Sequence, residues 1–239
     1  MNTDKIAVIL GTGPGLGSAL ALKFSREGYK IAIVSRTKRK LEKIKKDIER
    51  SGGEVFIAPA DVTNEKDLKA AFKNISQELG KNIDVLVYNA GDFKMQSILK
   101  IKPDEFKSSW DINCFGAFLS SKLVLPSMLK RKKGTIIFTG ATASIRGSSG
   151  FSRLAVGKFG LRALAQSMAR EFGAKGVHIA HVIIDGQIAS PNYSKNMPER
   201  DIKSFLSPEA IAEQYWQIHI QPLTSWTLEM DLRPALERF

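Results

Sequence analysis

Gly11, Gly13, Gly15 and Gly17 punctuate a turn between the apolar run KIAVIL and the amphipathic segment LGSALALKF. Glycine permits backbone shapes that a Cβ would block, so such a turn can bring the amino terminus of the next helix against a phosphate. Its place between strand and helix makes it a nucleotide-binding turn, with Leu16 inside it, ahead of the alternative of a tight connection. The next apolar run, KIAIVS, ends in Ser35-Arg36-Thr37-Lys38, where an NAD-binding chain would carry an acid for the ribose hydroxyls. A guanidinium beside a hydroxyl suits a 2′-phosphate, and NADP(H) is the expected cofactor. Arg36 is also the first charge of a basic helix, and the two roles are compatible. Two other apolar runs end in small residues: IDVLVY leads into Asn89-Ala90-Gly91, and VHIAHVII into Asp185-Gly186-Gln187-Ile188. Both let a flat ring approach the backbone, and both also read as ordinary strand-to-loop turns.

These groups need a frame that brings strand ends together. Strands are expected at 5–10, 30–35, 54–59, 83–88, 134–139, 177–184 and within 226–232, mostly Ile/Val-rich on both faces. Helices are expected near 15–27, 37–51, 64–79, 103–131, 152–174 and 208–219, with short connections between them. Repeated βα alternation without repeats or linkers predicts one domain over 1–239. Its fold class is α/β, a Rossmann-type doubly wound parallel sheet of about seven strands with ligands at their carboxyl ends.

Composition narrows the function classes. The 239 residues are 43% apolar and 25% charged, enough to bury a core without staples. Cys114 is the single cysteine, so no internal disulfide is expected and a reducing, cytoplasmic location fits. No window holds about 18 consecutive apolar residues, and the opening MNTDKIAVIL lacks a signal peptide's pattern, so no membrane partner is expected. The net charge is +12, of which +6 lies in residues 30–50 and +4 in Lys130-Arg131-Lys132-Lys133. Only Tyr29 lies near the first cluster, so the interleaved aromatics that stack on bases are missing and nucleic acid is not an expected partner.

Taken together, the chain resembles the short-chain dehydrogenase/reductase family over nearly its whole length. Gly11, Gly15 and Gly17 match its glycine motif, although Leu10 stands where a Thr is usual. Asp61-Val62 resembles its adenine contact, and Tyr88-Asn89-Ala90-Gly91 its Asn-Asn-Ala-Gly segment with Tyr for the first Asn. Asn113 in WDINCFGAFL matches its helix asparagine. Asp185 to Ser190 resembles its nicotinamide loop, with Asp for Pro and Ser for Thr. The resemblance implies that Ser35 and Arg36 take the 2′-phosphate, Gly11 to Gly17 with Leu16 the pyrophosphate, and Asp61 and Val62 the adenine. It further implies that Asn89, Ala90 and Gly91 surround the adenine ribose, that Lys158 holds the nicotinamide ribose, and that Gly186 and Ile188 grip the carboxamide. A small-molecule substrate would lie under a covering segment near 190–207. A homodimer or homotetramer packed through 103–131 and 152–174 is also implied.

At the reacting end the pattern breaks. The family moves its proton with a Tyr four residues before the Lys, aided by a Ser thirteen residues before that Tyr. Lys158 is in place, in the otherwise small and apolar AVGKFG, but the Tyr position is Leu154 and the Ser position Ala141. The variant spacing of seven residues gives Phe151. A positioned acid or base contributes about 10²- to 10⁴-fold, so its loss weakens turnover without abolishing it. Substitute donors are Tyr193 in SPNYSKNMPER, Ser144 in TGATASIRG, and a water held by Lys158 and Asn113. The expected function is NADP(H)-dependent hydride transfer to or from a small carbonyl, alcohol or activated double bond; the alternative is an NADP(H)-binding sensor or partner protein without turnover. His178, His181 and His219 lack metal-ligand spacing and read as core residues, so no metal is expected.

Overall fold

The computed structural model describes residues 5–189 and 201–236. Seven strands, β1 (Ile6–Leu10), β2 (Lys30–Ser35), β3 (Val55–Pro59), β4 (Ile83–Tyr88), β5 (Gly134–Thr139), β6 (Val177–Ile184) and β7 (Glu229–Leu232), form one sheet in the order β3-β2-β1-β4-β5-β6-β7. All pairings are parallel. The helices are α1 (Leu16–Arg26), α2 (Lys38–Arg50), α3 (Glu65–Glu78), α4 (Pro103–Trp110), α5 (Gly116–Arg131), α6 (Ser152–Phe172) and α7 (Pro208–His219).

Strand periodicity explains the two cores. Successive side chains point to opposite faces, so Ile6, Val8 and Leu10 of β1 join Leu68, Phe72, Met128 and Leu161 of α3, α5 and α6. Ala7 and Ile9 instead join Leu20, Phe24, Leu41 and Ile211 of α1, α2 and α7. Each fully buried Ile or Leu there contributes roughly 1.5–3 kcal/mol. In α2 the buried positions are Leu41, Ile44 and Ile48, at helical spacing, and most of the basic run faces solvent. Residues Pro103–Arg131 are long and apolar enough to cross a membrane by length and composition. In the fold, Ala117, Leu119, Val124, Leu125 and Met128 of that stretch are buried against the sheet side of the core.

The chain leaves β1 toward β2 on one side and returns to β4 on the other, which opens a crevice at the carboxyl ends of β1 and β4. Gly11 N–H donates to Val34 O at 2.9 Å and Asn89 N–H to Leu10 O at 2.9 Å, fixing both strand exits at that point.

One helix departs from the expected continuous run. Asp111–Phe115, between α4 and α5, is a π turn. The Tyr88 hydroxyl donates to Ile112 O at 2.6 Å, drawing that carbonyl toward β4. Gly116 is required beside it, because a Cβ there would lie 2.3 Å from the Tyr88 hydroxyl. Such turns recur at functional sites.

The histidines are core residues, as their sequence context implies. His219 lies 2.6 Å from the Tyr29 hydroxyl and 2.9 Å from Thr135 Oγ1. Burial lowers its pKa from 6.5 to about 4, and burial also lowers those of His178 and His181. For His219 unfolding therefore takes up a proton between pH 4 and 6.5, so its full contribution holds above about pH 6.5 and is lost toward pH 4. His219 alone corresponds to about 3 kcal/mol. Urea melts at pH 7.5 and 5 are expected to show that loss, and a His219→Phe variant to show less of it; equal acid sensitivity in the two would refute the assignment.

Candidate functional site

The crevice at the sheet's switch point is a cleft of about 300 Å³. On one wall Gly11, Thr12 and Gly13 leave β1, and Asn89, Ala90 and Gly91 leave β4; Ser35, Arg36, Asp61 and Val62 close the far end. Gly11 has φ +79°, and a Cβ there would lie 2.3 Å from Ala90 N. The Asn89 amide donates to Gly11 O at 3.1 Å and locks the two exits together. Gly15, at φ 104°, opens α1, which has no side-chain cap and no acid in its first turn. Its first N–H groups are thus left for an anion, at the positive end of the helix dipole.

Leu16 and Gly17 serve this cleft from behind. Leu16 is buried in the core under α1, and a Cβ on Gly17 would lie 2.8 Å from Thr12 Cα. Asp61 is held by Thr63, whose N–H and hydroxyl donate to its Oδ1 at 2.9 and 2.8 Å. Ser35 Oγ is buried and has no hydrogen-bond partner, and Arg36 beside it is exposed on the cleft wall. Thr37, Lys40 and Ile112 also line the cleft. Lys40 is not legible in the sequence, since the basic run offers several equivalent lysines and only the α2 start decides which one faces inward.

Next to this cleft lies a second, mostly apolar cavity of about 410 Å³, walled by Phe93, Phe151, Leu154, Ile184 and Ile188 with Thr139 to Ala143 along one side. The rings of Phe93 and Phe151 pack on each other in its wall, with centroids 5.4 Å apart. Gly186, at φ +149°, is pressed on Pro234, and Ile188 is tied by a β-bridge to Leu206. Asp185, where the resemblance has a Pro, accepts from the Thr142 hydroxyl and lies 3.2 Å from Arg233. It braces the loops rather than facing a ligand.

Between the two spaces sit Lys158, Asn113 and Gly91. A Cβ on Gly91 would lie 3.3 Å from Asn113 Oδ1 and 3.6 Å from Lys158 Nζ, so three separately read motifs meet at one point. Lys158 is 5% exposed, and its ammonium donates to Thr139 O at 2.8 Å. Burial lowers its pKa from 10.5 to about 8. Leu154, one helical turn earlier, is buried and faces the apolar cavity.

One expected role needs correction, and the surroundings of a second residue are now defined. Asn113 is fully buried, and its amide donates to Ser109 O at 2.9 Å and Asp92 O at 3.4 Å while Oδ1 accepts from Asp92 N–H at 3.4 Å. Its side chain braces the loop after Gly91. Ser144 is likewise fully buried and accepts from Ala141 N–H at 3.1 Å, off the cavity wall, which removes it as a proton donor. Tyr193, Ser190 and most of the expected covering segment lie outside the described residues.

A doubly wound parallel sheet with an uncapped glycine turn at its switch point defines a nucleotide-binding α/β protein. Residues 5–200 match the short chain dehydrogenase family, and the chain belongs to that family of oxidoreductases. It is similar to a short-chain dehydrogenase from Rhodopseudomonas palustris, at 35% identity over 97% of this chain and 99% of that one, with a TM-score of 0.84. An alcohol dehydrogenase from the archaeon Thermococcus sibiricus, complexed with 5-hydroxy-NADP, is 25% identical over 98% of both chains with a TM-score of 0.87. An uncharacterized oxidoreductase of Listeria monocytogenes is 32% identical over 181 residues, 76% of this chain and 73% of that one.

Proposed function

We propose that the protein is an NADP(H)-dependent reductase or dehydrogenase for a small molecule whose apolar body fills the 410 Å³ cavity and whose reacting group is a carbonyl, alcohol or activated double bond. The observation that carries the cofactor choice is the end of β2. A buried, unpartnered Ser35 hydroxyl stands there beside Arg36, with Lys40 on the same wall. A dianionic 2′-phosphate would satisfy all three, whereas ribose hydroxyls would leave two cations without partners. The NADP analogue bound by the Thermococcus relative supports the same reading.

When bound, NADP(H) supplies or accepts the hydride. The chain's part is to orient and to move a proton. The open first turn of α1 would hold the pyrophosphate, Asp61 and Val62 the adenine, and Gly186 and Ile188 the nicotinamide end. Lys158 would hold the nicotinamide ribose and, through a water or that ribose, deliver the proton that the absent phenol cannot. Asn113 keeps the Gly91 loop shaped around the Lys158 ammonium. The chain thus represents a branch of its family without the usual Tyr and Ser. The second reading, binding without turnover, is favoured by Leu154 and Ala141, which make the cavity wall apolar where the family carries its two hydroxyls.

We also propose assembly as a homodimer or homotetramer. The stacked Trp110, Phe115 and Phe118 and the exposed Val156 and Phe159 form an apolar face on α4 to α6.

Arg36→Ala is expected to weaken NADPH binding by about 10- to 100-fold, the loss of one or two charge-assisted hydrogen bonds, and to leave NADH binding within about twofold. Fluorescence titration with both nucleotides checks it. Equal losses for the two would overturn the 2′-phosphate assignment.

A further inference from the structure

The second basic cluster of the sequence, at residues 130–133, takes no part in the cofactor site. It lies at the opposite end of the sheet, where the amino ends of β1, β4, β5 and β6 surround a cleft of about 420 Å³, as large as the apolar cavity. Lys5, Lys132 and Lys133 line this cleft together with Arg131 and Asp84. Asp84 is fully engaged. It accepts from Ile6 N–H at 3.0 Å and pairs with Arg131 at 2.8 Å. Lys5, Lys132 and Lys133 have no acidic partner among the described residues, so three uncompensated ammonium groups border one recess.

Two independent features make this more than a charged rim. Lys132 is the one non-glycine residue with positive φ among the described residues, at 51°, and caps α5 with its carbonyl packed on Gly176. A Cβ at Gly176 would lie 2.3 Å from Lys132 O, so the backbone of this turn is fixed by close contact at the edge of the recess. In the wall, His178 is 2% exposed; its Nε2 lies 2.8 Å from Thr227 O and its Nδ1 is buried with no partner. A carbonyl accepts, so Nε2 carries the proton and Nδ1 is a bare lone pair. The His178 ring stacks on Trp226 at 4.7 Å and 3°, which gives the cleft a flat aromatic side. Burial keeps His219 neutral; the Asp84 carboxylate opposes that shift, and the Lys5 and Lys133 ammoniums add to it more weakly.

We propose that this cleft is a second ligand site, separate from the cofactor cleft, that takes a small polyanion bearing phosphate groups. Lys5, Lys132 and Lys133 bind its oxygens, and the His178 ring, stacked on Trp226, backs the recess. The aromatic wall favours a ligand with a planar portion. A recess with buried histidines in its walls fits a small molecule better than a flat membrane surface.

The test is a calorimetric titration of the full chain with inorganic tripolyphosphate, followed in parallel by the His178 imidazole resonances. The expected result is one site whose affinity falls at least tenfold in Lys132→Ala/Lys133→Ala and is kept in Arg36→Ala. A Lys66→Ala/Lys73→Ala control removes the same charge from the exposed face of α3 and is expected to bind normally. These side chains are exposed, so the variants are expected to fold, and a melting curve for each verifies it. Three outcomes overturn the proposal: no binding to the wild-type chain, loss in Arg36→Ala with retention in the Lys132/Lys133 variant, or equal loss in the α3 control. None of these arms needs NADPH, so failure here leaves the cofactor assignment intact.

Discussion

Lys158→Met is expected to make the folded protein more stable while lowering turnover by about 10³-fold. The two effects share one cause. The ammonium is buried, donates to a single carbonyl at 2.8 Å, and has no carboxylate partner among the described residues. A pKa lowered from 10.5 to about 8 by that burial corresponds to a cost of about 3 kcal/mol for keeping the charge at neutral pH. Methionine has nearly the same length without that cost, so a gain of about 1–3 kcal/mol is expected once the lost hydrogen bond is allowed for. The wild-type curve carries its own sign. The unfolded lysine keeps its proton up to about pH 10.5 and the folded one releases it near pH 8, so unfolding takes up a proton in that window and stability rises with pH across it. That rise is expected to vanish in Lys158→Met. If the protonated ammonium delivers the proton, reduction by the wild-type protein also falls above about pH 8. Urea melts at pH 7.5 and 10, with NADPH oxidation followed in the same buffers, check all three statements. A variant that melts lower and still turns over would make Lys158 an ordinary packing residue.

What is legible in the sequence and what is not divide along a physical line. Features set by local sequence are legible. Both faces of β1 are apolar because both are covered, and the glycines of the first turn stand where a strand must hand over to a helix at once. The strand and helix spans follow from these local patterns. Features set by contacts between distant segments are not legible. The π turn at Asp111–Phe115 depends on a hydroxyl from β4 reaching Ile112 O, and nothing within WDINCFG marks it. The burial of Ser144 follows from a short turn folding its side chain back on Ala141 N–H, so a hydroxyl near the right place in sequence faces the wrong way in space. The position of Asn113 in the chain suits a partner of a catalytic water. Its amide also donates to Ser109 O and Asp92 O, a loop-bracing part that nothing in the local sequence marks. The basic cluster at 130–133 reads as surplus surface charge, and the sheet alone reveals that it shares a cleft with Lys5, more than a hundred positions away.

Leu154→Tyr, combined with Ala141→Ser, is expected to raise turnover by about 10²- to 10⁴-fold, the range contributed by a positioned general acid. Helical spacing places residue 154 one turn before Lys158, and Leu154 already faces the apolar cavity, so a phenol there extends over the space that a substrate's reacting group would occupy. The nearby ammonium would lower the phenol's pKa, whereas burial in the apolar wall would raise it; the charge effect dominates only if the hydroxyl points toward Lys158. Ala141 stands on the same wall, so the Ala141→Ser change would supply the second hydroxyl. The single Leu154→Tyr change is expected to give most of the gain, since the added serine assists and does not itself carry the proton. The measurement is stopped-flow oxidation of bound NADPH over a panel of aldehydes, ketones, quinones and enones, with NADPH affinity determined for each variant. A gain with affinity unchanged would show that proton delivery limits the wild-type protein and that its hydride geometry is intact. An unchanged rate in a folded, NADPH-binding variant would put the deficit elsewhere. The apolar wall around Leu154 would then be a feature of a protein that reports on the nucleotide instead of consuming it.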